Sequence, residues 1–442
     1  MRAEPAWVRH AIWWRLYPLG FTGAYPPPPA AAAEPSEHRL RRVIAWLDHA
    51  IELGASGIAL GPVFSSATHG YDTLDYLRID PRLGDSRDFD ALISEAHRRG
   101  LRVELDGVFN HVSRRHPLAQ AALQDGPGSR AARWFRASGS PERTGLATFE
   151  DHDALVVLNH DNPEVEDHVV QIMRHWLHQG ADAWRLDAAY AVPAAFWARV
   201  LPQVRATHPD AWFEAEVLHG DYAAFVRDST ADTVTQYELW KAIWSSLNDR
   251  NFHELDWALR RHNTMLATFV PATFVGNHDV TRIATQVTDP RHLPHAIAAL
   301  TILGGTSSIY AGDEYALHGV KEHRAGGDDA IRPEFPARGP SGLTGADQAI
   351  YRLHQRLIGL RRRHPWLHQA TSTTLQLRND QYVTRVAHGT DSLHLALNLA
   401  DRPLQPPQFT QVLAADPGTE RNSAQIAPHG WAVLGPAQPT RA

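Results

Sequence analysis

The sequence predicts a (β/α)8 TIM barrel with a short excursion after its third strand and an antiparallel β-domain at its C-terminal end. Three observations predict it. Eight short apolar runs alternate with longer amphipathic ones along most of the chain. The interval from His111 to Gly180, between the third and fourth runs, is too long for one helix and a loop. From about Gln369 the helical periodicity gives way to short β-rich runs separated by turns.

The candidate strands, in order, are Ala11–Pro18, Ser56–Phe64, Arg102–Phe109, Ala181–Ala189, Ala211–Val217, Asp232–Leu239, Thr273–Asp279 and Thr306–Glu314. Between them, apolar residues recur at the i, i+3, i+4 spacing of a helix packed on one face. Arg41–Leu53 places Val43, Ile44, Leu47, Ala50 and Ile51 together, and Pro163–Gln179 does the same with Val165, Val169, Ile172, Met173, Trp176 and Leu177. The barrel is therefore assigned to residues 1–110 and 163–368, the excursion to residues 111–162 and the β-domain to residues 369–442. In that last segment, Thr373–Leu377, Gln381–Val386, Ser392–Leu399 and Gln425–Leu434 are the expected strands. The tract Pro26–Pro29 with Ala30–Ala33 reads as a stiff surface loop after the first strand.

Composition excludes several classes of function. The 442 residues contain no cysteine, which removes disulfides, thiolate metal sites and a thiol nucleophile. A net charge of −6 is not that of a dedicated nucleic-acid binder. No apolar run approaches the length of a membrane span, and the first residues, MRAEPAWVRHAIWW, lack the apolar stretch of a secretory signal. The expectation is a cytoplasmic protein without membrane or nucleic-acid partners, monomeric or weakly dimeric.

In barrels of this kind, chemistry sits at the C-terminal ends of the strands. Asp106, Asp187, Glu216 and Asp279 fall there on the third, fourth, fifth and seventh runs. A carboxylate ending an apolar strand is costly unless it is paired or used. Arg185 lies two residues before Asp187 and so on the same face of its strand, where it is expected to keep Asp187 ionised. His111 and His278 stand beside these acids in sequence and could donate to sugar hydroxyls. Several carboxylates with no thiol and no metal-ligand cluster suit glycoside cleavage. One carboxylate attacks the anomeric carbon and another protonates the leaving oxygen.

The segments DGVFNH (106–111), WRLDAA (184–189), EAEVLH (214–219) and FVGNHD (274–279) resemble, in order, the four signatures of the α-amylase family, family 13 of the glycoside hydrolases. GYDTLDYLRIDPRLGD (70–85), LNHDNPEVEDHV (158–169) and GGTSSIYAGDEYAL (304–317) resemble further segments of it. The excursion and the run after the fourth strand are similar to the neopullulanase, cyclomaltodextrinase and maltogenic amylase branch, which typically carries an extra N-terminal β-domain where this chain begins almost at the barrel.

The resemblance implies Asp187 as nucleophile, Glu216 as general acid/base and Asp279 as the carboxylate gripping the distorted sugar. It implies Arg185 as the group orienting Asp187, and His111, His278, Tyr71 and Asp72 as the lining on the non-reducing side. Tyr71 would be a platform for the ring, and Asp72 an acceptor for its hydroxyls. Asp328 and Arg332 resemble a sugar-contacting pair, and Asp106 is expected to organise the site by bonding Arg185. The implied substrates are short α-glucans or maltooligosaccharides, cleaved with retention. The pair Asp187 and Glu216 should then lie about 5–5.5 Å apart, with Glu216 raised in pKa and Asp187 lowered.

Two departures stand out. The branch usually shows Val-Ala-Asn-Glu after the nucleophile, where this chain has Ala188, Ala189, Tyr190 and Ala191. It usually shows Ile-Trp-His after the acid, where this chain has Val217, Leu218 and His219. These positions lie on the leaving-group side, so linkage and the choice between water and a sugar acceptor stay open. Glycosyl transfer within the same family is the alternative reading, and a non-catalytic sugar-binding homologue a third. No cofactor is required. Asn110 resembles a calcium ligand of many α-amylases, but the excursion offers no clear set of oxygen ligands, and calcium stays open. Among the aromatics, Trp134-Phe135, Trp240 and Trp244 are candidates for stacking on sugars, and the strand and helix tryptophans are expected in the core.

Overall fold

In a computed structural model, which describes residues 4–25, 37–138, 145–324, 326–406, 411–419 and 425–435, all eight expected strands form. They are β1 (Ile12–Leu16), β2 (Gly57–Leu60), β3 (Arg102–Gly107), β4 (Ala183–Leu186), β5 (Trp212–Ala215), β6 (Thr233–Val234), β7 (Ala272–Phe274) and β8 (Thr306–Tyr310). Each pairs in parallel with its sequence neighbours, and β8 returns to β1. A parallel bridge between Thr235 and Ala272 joins the β6 and β7 edges and closes the barrel.

The strands are shorter than the apolar runs that announced them. Asp187, Glu216 and Asp279 lie past the ends of β4, β5 and β7, where the backbone leaves the ladder. Single bonds such as Asp187 N to Gly107 O (3.0 Å) and Glu216 N to Leu186 O (3.0 Å) still tie the first two to neighbouring strands.

Strand alternation sorts side chains between lumen and helices. On β1, Trp14 and Leu16 face the helices, while Trp13 and Arg15 face inward. The lumen is therefore layered. At the bottom, Trp13 stacks on Trp212 (5.9 Å between ring centroids) beside Ala59 and Ala183. Above them Arg15 meets Glu104 and Glu214, and above those Arg185 meets the strand-end carboxylates.

The helix Pro163–His178 matches its expected face, with all the apolar residues expected there buried, Val170 buried as well, and its N-terminus capped by the Asn162 side chain. The expected helix Arg41–Leu53 instead comes as two pieces, Arg41–Ile44 and Leu47–Leu53. The break lets the buried Trp46 donate its indole N–H to Pro336 O (2.8 Å), and Ile51 is left 41% exposed rather than packed.

In the excursion, His111–Ser113, Thr148–Phe149 and His152–Val157 form a small sheet beside the helix Pro117–Asp125. The C-terminal sheet has five antiparallel strands: β9 (Thr371–Leu377), β10 (Gln381–His388), β11 (Asp391–Asn398), β12 (Gln411–Ala415) and β13 (Trp431–Gly435). They lie in the order β9-β10-β11-β13-β12. The short edge strand β12 carries too little alternation to be read from sequence. The Pro26–Pro29 and Ala30–Ala33 tract lies outside the described residues.

Candidate active site

The strand-end carboxylates converge on one guanidinium. Arg185 Nη1 donates to Asp106 Oδ1 and Oδ2 (2.8 and 2.6 Å) and to Asp187 Oδ1 (3.2 Å), and Nη2 pairs with Glu216 Oε1 (2.7 Å). The sequence spacing that put Arg185 beside Asp187 thus also serves Asp106, as expected, and Glu216, which was not.

Glu216 has further partners. Its Oε2 accepts the backbone N–H of Ala188 (2.9 Å) and its Oε1 accepts the Tyr237 hydroxyl (3.2 Å). Ala188 reaches it from a left-handed backbone conformation (φ 45°) that an alanine adopts at a cost. Asn277 donates to the Tyr237 hydroxyl (2.9 Å) and accepts from the Asp279 N–H (2.9 Å), so a hydrogen-bonded chain joins the Asp279 loop to the acid.

On the other side, Asp279 Oδ1 accepts from Arg332 Nη2 (2.8 Å) and its Oδ2 lies 3.0 Å from His278 Nε2. Arg332 also bonds the His278 carbonyl (2.8 Å), pairs with Asp328 (3.0 Å) and lies over the Tyr17 ring. Asp328 is additionally 3.4 Å from Lys321 Nζ. His278 stacks between Tyr17 and Tyr71, with centroids at 6.2 and 5.5 Å, and its Nε2 meets the Tyr71 hydroxyl, which also bonds Asp106 (3.0 Å).

Two expected sugar contacts also have partners within the chain. Both Asp72 oxygens accept from Thr68, from its N–H (3.0 Å) and its hydroxyl (2.6 Å), so Asp72 shapes its own loop. His111 lies against Tyr71 O through Nε2 (3.0 Å) and stacks on Phe149 of the excursion (4.7 Å). The Tyr71 ring is pinned by His278 and Asp106 as described. Of the stacking candidates, Trp240 packs on Trp244, Phe274 and Tyr237, and Trp134 donates to Glu164 (3.2 Å). Tyr237 and Asn277 carry no charge, so the strand-end carboxylate pattern does not point to them. Tyr237 lies shortly past β6 (Thr233–Val234), at the strand-end position that is the signal for it.

Charge in this cluster is governed first by burial. Burial and the nearby Glu216 charge push Asp187 well above the ordinary carboxylate range despite Arg185. The expected depression of Asp187 is therefore corrected. Its guanidinium is divided among three acids and cannot offset desolvation for one alone. Burial also raises Glu216, against the pull of Arg185. Asp279 differs. Burial works against its charge, but His278, Arg332 and Arg185 together hold it below the usual range. Burial takes His278 well below its ordinary value, against the pull of the Asp279 charge.

Asn110, the residue that resembles a calcium ligand, is buried; its amide nitrogen meets His111 Nδ1 (3.1 Å) and its oxygen has no hydrogen-bond partner.

A closed parallel barrel with three acids on one arginine at its C-terminal mouth, and a fourth acid held across from them, defines a carboxylate-centred barrel enzyme. Residues 38–347 match the model of the alpha amylase catalytic domain, and the chain belongs to that family. It is 30% identical over 341 residues to the maltogenic alpha-amylase of Bacillus acidopullulyticus, covering 72% of this chain and 58% of that one. It is also 30% identical over 385 residues to neopullulanase 2 of Thermoactinomyces vulgaris, covering 81% and 65%. The chain thus spans about three-fifths of these relatives' length. The solved debranching enzyme of Nostoc punctiforme, soaked with acarbose, superposes with a TM-score of 0.81 at 25% identity, over 98% of this chain and all of that one. Among the described residues no helix is long and apolar enough to cross a membrane.

Proposed function

We propose that the protein is a retaining α-glucoside hydrolase that cleaves short α-glucans or maltooligosaccharides through a glycosyl ester on Asp187. The observation that carries this reading is the single guanidinium of Arg185 shared by Asp106, Asp187 and Glu216. It keeps nucleophile and acid side by side, as a double displacement at one anomeric carbon requires.

Each residue then has a task. Glu216 carries the proton to the leaving oxygen, and Oε2 is its place, since Oε1 already takes Arg185 and Tyr237. With that proton on Glu216, Arg185 faces two anions rather than three, and Asp187 attacks as an anion. Asp279, held ionised by Arg332, faces the positive charge that develops on the sugar ring. After the first product leaves, Glu216 is a base and activates water to release the sugar from Asp187. Asp328 and Arg332 complete the non-reducing side.

The test is a trapped intermediate. Glu216→Gln treated with an α-glucosyl fluoride, whose leaving group needs no proton, should accumulate one glycosyl unit on the peptide holding Asp187, read by mass spectrometry. Modification at Asp106 or Asp279, or none with wild-type protein turning over, overturns the assignment.

Transfer to a sugar acceptor is a second reading, favoured by one specific feature. Tyr190 follows the nucleophile where the related branch carries Asn-Glu, and its hydroxyl donates to Glu150 of the excursion (2.6 Å). This pair walls the side from which water or an acceptor arrives. Product analysis on maltotriose, pullulan, cyclodextrin, trehalose, sucrose, and maltose with phosphate separates hydrolysis from transfer and identifies the linkage.

A further inference from the structure

Beneath the strand-end cluster lies a second ionic layer that the proposed chemistry does not use. Arg15 Nη2 on β1 pairs with Glu104 Oε2 on β3 (3.0 Å) and with Glu214 Oε1 on β5 (2.7 Å). All three side chains are buried, Glu104 completely. Barrel layers draw side chains from alternate strands and are ordinarily filled by Val, Ile and Leu. Here an odd-strand layer holds two acids and one base.

The layer is short of positive charge. Both glutamates lean on the same nitrogen, and Glu104 Oε1 and Glu214 Oε2 have no hydrogen-bond partner. Two ionised carboxylates in this setting would leave a net buried charge and two unpaired anionic oxygens, which is costly. One proton removes the excess charge.

The layer also touches the cluster above. Glu104 and Asp106 are two residues apart on β3, and Glu214 and Glu216 are two apart across the end of β5, so each pair shares an inward face. A cavity of about 20 Å³ separates the two levels. It is lined by Arg15 and Glu214 on one side and by Arg185, Tyr237, Asn277 and His278 on the other, and it has room for one water.

We propose that Arg15, Glu104 and Glu214 form a charge-setting layer, in which the two glutamates share one proton and the net charge is zero. In this state the layer leaves the strand-end cluster's own charges to set the ionisation of Asp187 and Glu216. These are positioning residues, acting through Arg185 and Asp106, and the inference rests on the proposed cleavage chemistry only for its kinetic readout. Arg15 and Glu104 bear on Arg185 and Asp106, and the groups around Asp187 and Glu216 come from the other sides of the lumen: Tyr71 after β2, Asp106 on β3, Arg185 on β4, Tyr237 after β6, His278 and Asp279 after β7, and Arg332 after β8. Burial pushes Glu104 well above its ordinary range, with the Glu214 charge adding to it.

Infrared difference spectroscopy of the whole chain at pH 7 tests the proton without any substrate. Glu104→Gln/Glu214→Gln should lose the intensity of one protonated buried carboxyl relative to wild type, separate from any band lost in Glu216→Gln. An unchanged band overturns the proposal, and should the double variant not fold, single Glu104→Gln must alter that band or the proposal fails. The kinetic test is the pH profile of kcat/KM on an aryl α-maltoside. The double variant leaves Arg15 positive and uncompensated, which favours the ionised acids above it. Both limbs should then move toward acid by about one unit. Limbs that stay in place in a folded double variant overturn the charge-setting role. Wild type inactive on every glucoside would instead overturn the cleavage reading and leave the infrared result standing.

Discussion

The two walls of the site are built differently. On the Asp279 side, every polar group is fixed by neighbours. Arg332 bridges Asp279, Asp328 and the His278 carbonyl, and His278 is held between two tyrosine rings. On the Tyr190 side, the wall is one tyrosine bonded to one exposed glutamate, Glu150, from the excursion. Glu150 and Asp151 both sit in left-handed backbone conformations at the turn between Thr148–Phe149 and His152–Val157. On the proposed chemistry, the first wall is preorganised for one sugar in one distorted shape, as transition-state binding requires. The second is held by few contacts and by a strained turn, so it can differ between relatives without disturbing the chemistry.

The largest effect belongs to neither wall. Asp187→Asn keeps the shape and removes the nucleophilic charge, so kcat on maltotriose should fall by about 10⁴-fold or more while sugar binding persists. Near-normal turnover would mean the strand-end acids are structural, and the comparison of walls would lose its basis.

Next in size are changes to the preorganised wall. Asp279→Asn or Arg332→Leu should each lower kcat/KM by about 10²- to 10³-fold, the usual effect of removing one fixed charge that faces developing charge. The two should not add, because Arg332 acts on the sugar partly by holding Asp279 ionised. Losses that multiply in Asp279→Asn/Arg332→Leu would show two independent contacts and weaken the picture of a single braced unit.

A stability measurement sharpens the same contrast. The folded-state pKa of Glu216 is raised, so its favourable contribution is present below its ordinary value and is lost as pH rises through the raised value. Glu216→Gln cannot ionise, and its Tm should exceed that of wild type by an amount that grows from about pH 4.5 toward neutrality. Asp279 has the opposite sign. Its depressed pKa means stability present above its ordinary range and lost in acid, so Asp279→Asn should lower Tm at pH 7, and that penalty should shrink steadily as pH falls below the ordinary carboxylate range. Equal shifts for both variants, read by calorimetry across pH, would remove the distinction.

Much of this was legible in the sequence because the barrel repeats one rule. Alternation placed Arg185 with Asp187, and the strand-end rule placed Asp106, Glu216 and Asp279 in one mouth. What was not legible depends on contacts between segments far apart in the chain. Nothing near Asp72 in sequence says that Thr68 will take both its oxygens. Nothing near Asp187 says that its arginine must serve Glu216 as well as Asp106, and that sharing is why its charge behaves opposite to expectation. Glu104 and Glu214 were in view, two residues before recognised acids. The period-two rule that found Arg185 applies to them equally.

The smallest expected effect lies on the loosely held wall. Tyr190→Ala removes the ring and frees Glu150, while the Tyr190 backbone N–H, which donates to the Glu216 carbonyl (3.1 Å), is kept. Formation of the glycosyl-Asp187 ester from a fluoride donor needs neither the ring nor Glu150, so that rate should change by less than about threefold. The second step differs, because water and a sugar hydroxyl compete for the same approach, and a ring favours the sugar by stacking. The ratio of transfer to hydrolysis products from maltotriose should therefore fall by about three- to tenfold in Tyr190→Ala and by less in Glu150→Ala, which keeps the ring. Chromatography of the product mixture at fixed conversion reads both. A drop in the ester-forming rate with no change in the product ratio would place Tyr190 with the preorganised wall, and the division of the site into a fixed donor side and an adaptable acceptor side would have to be redrawn.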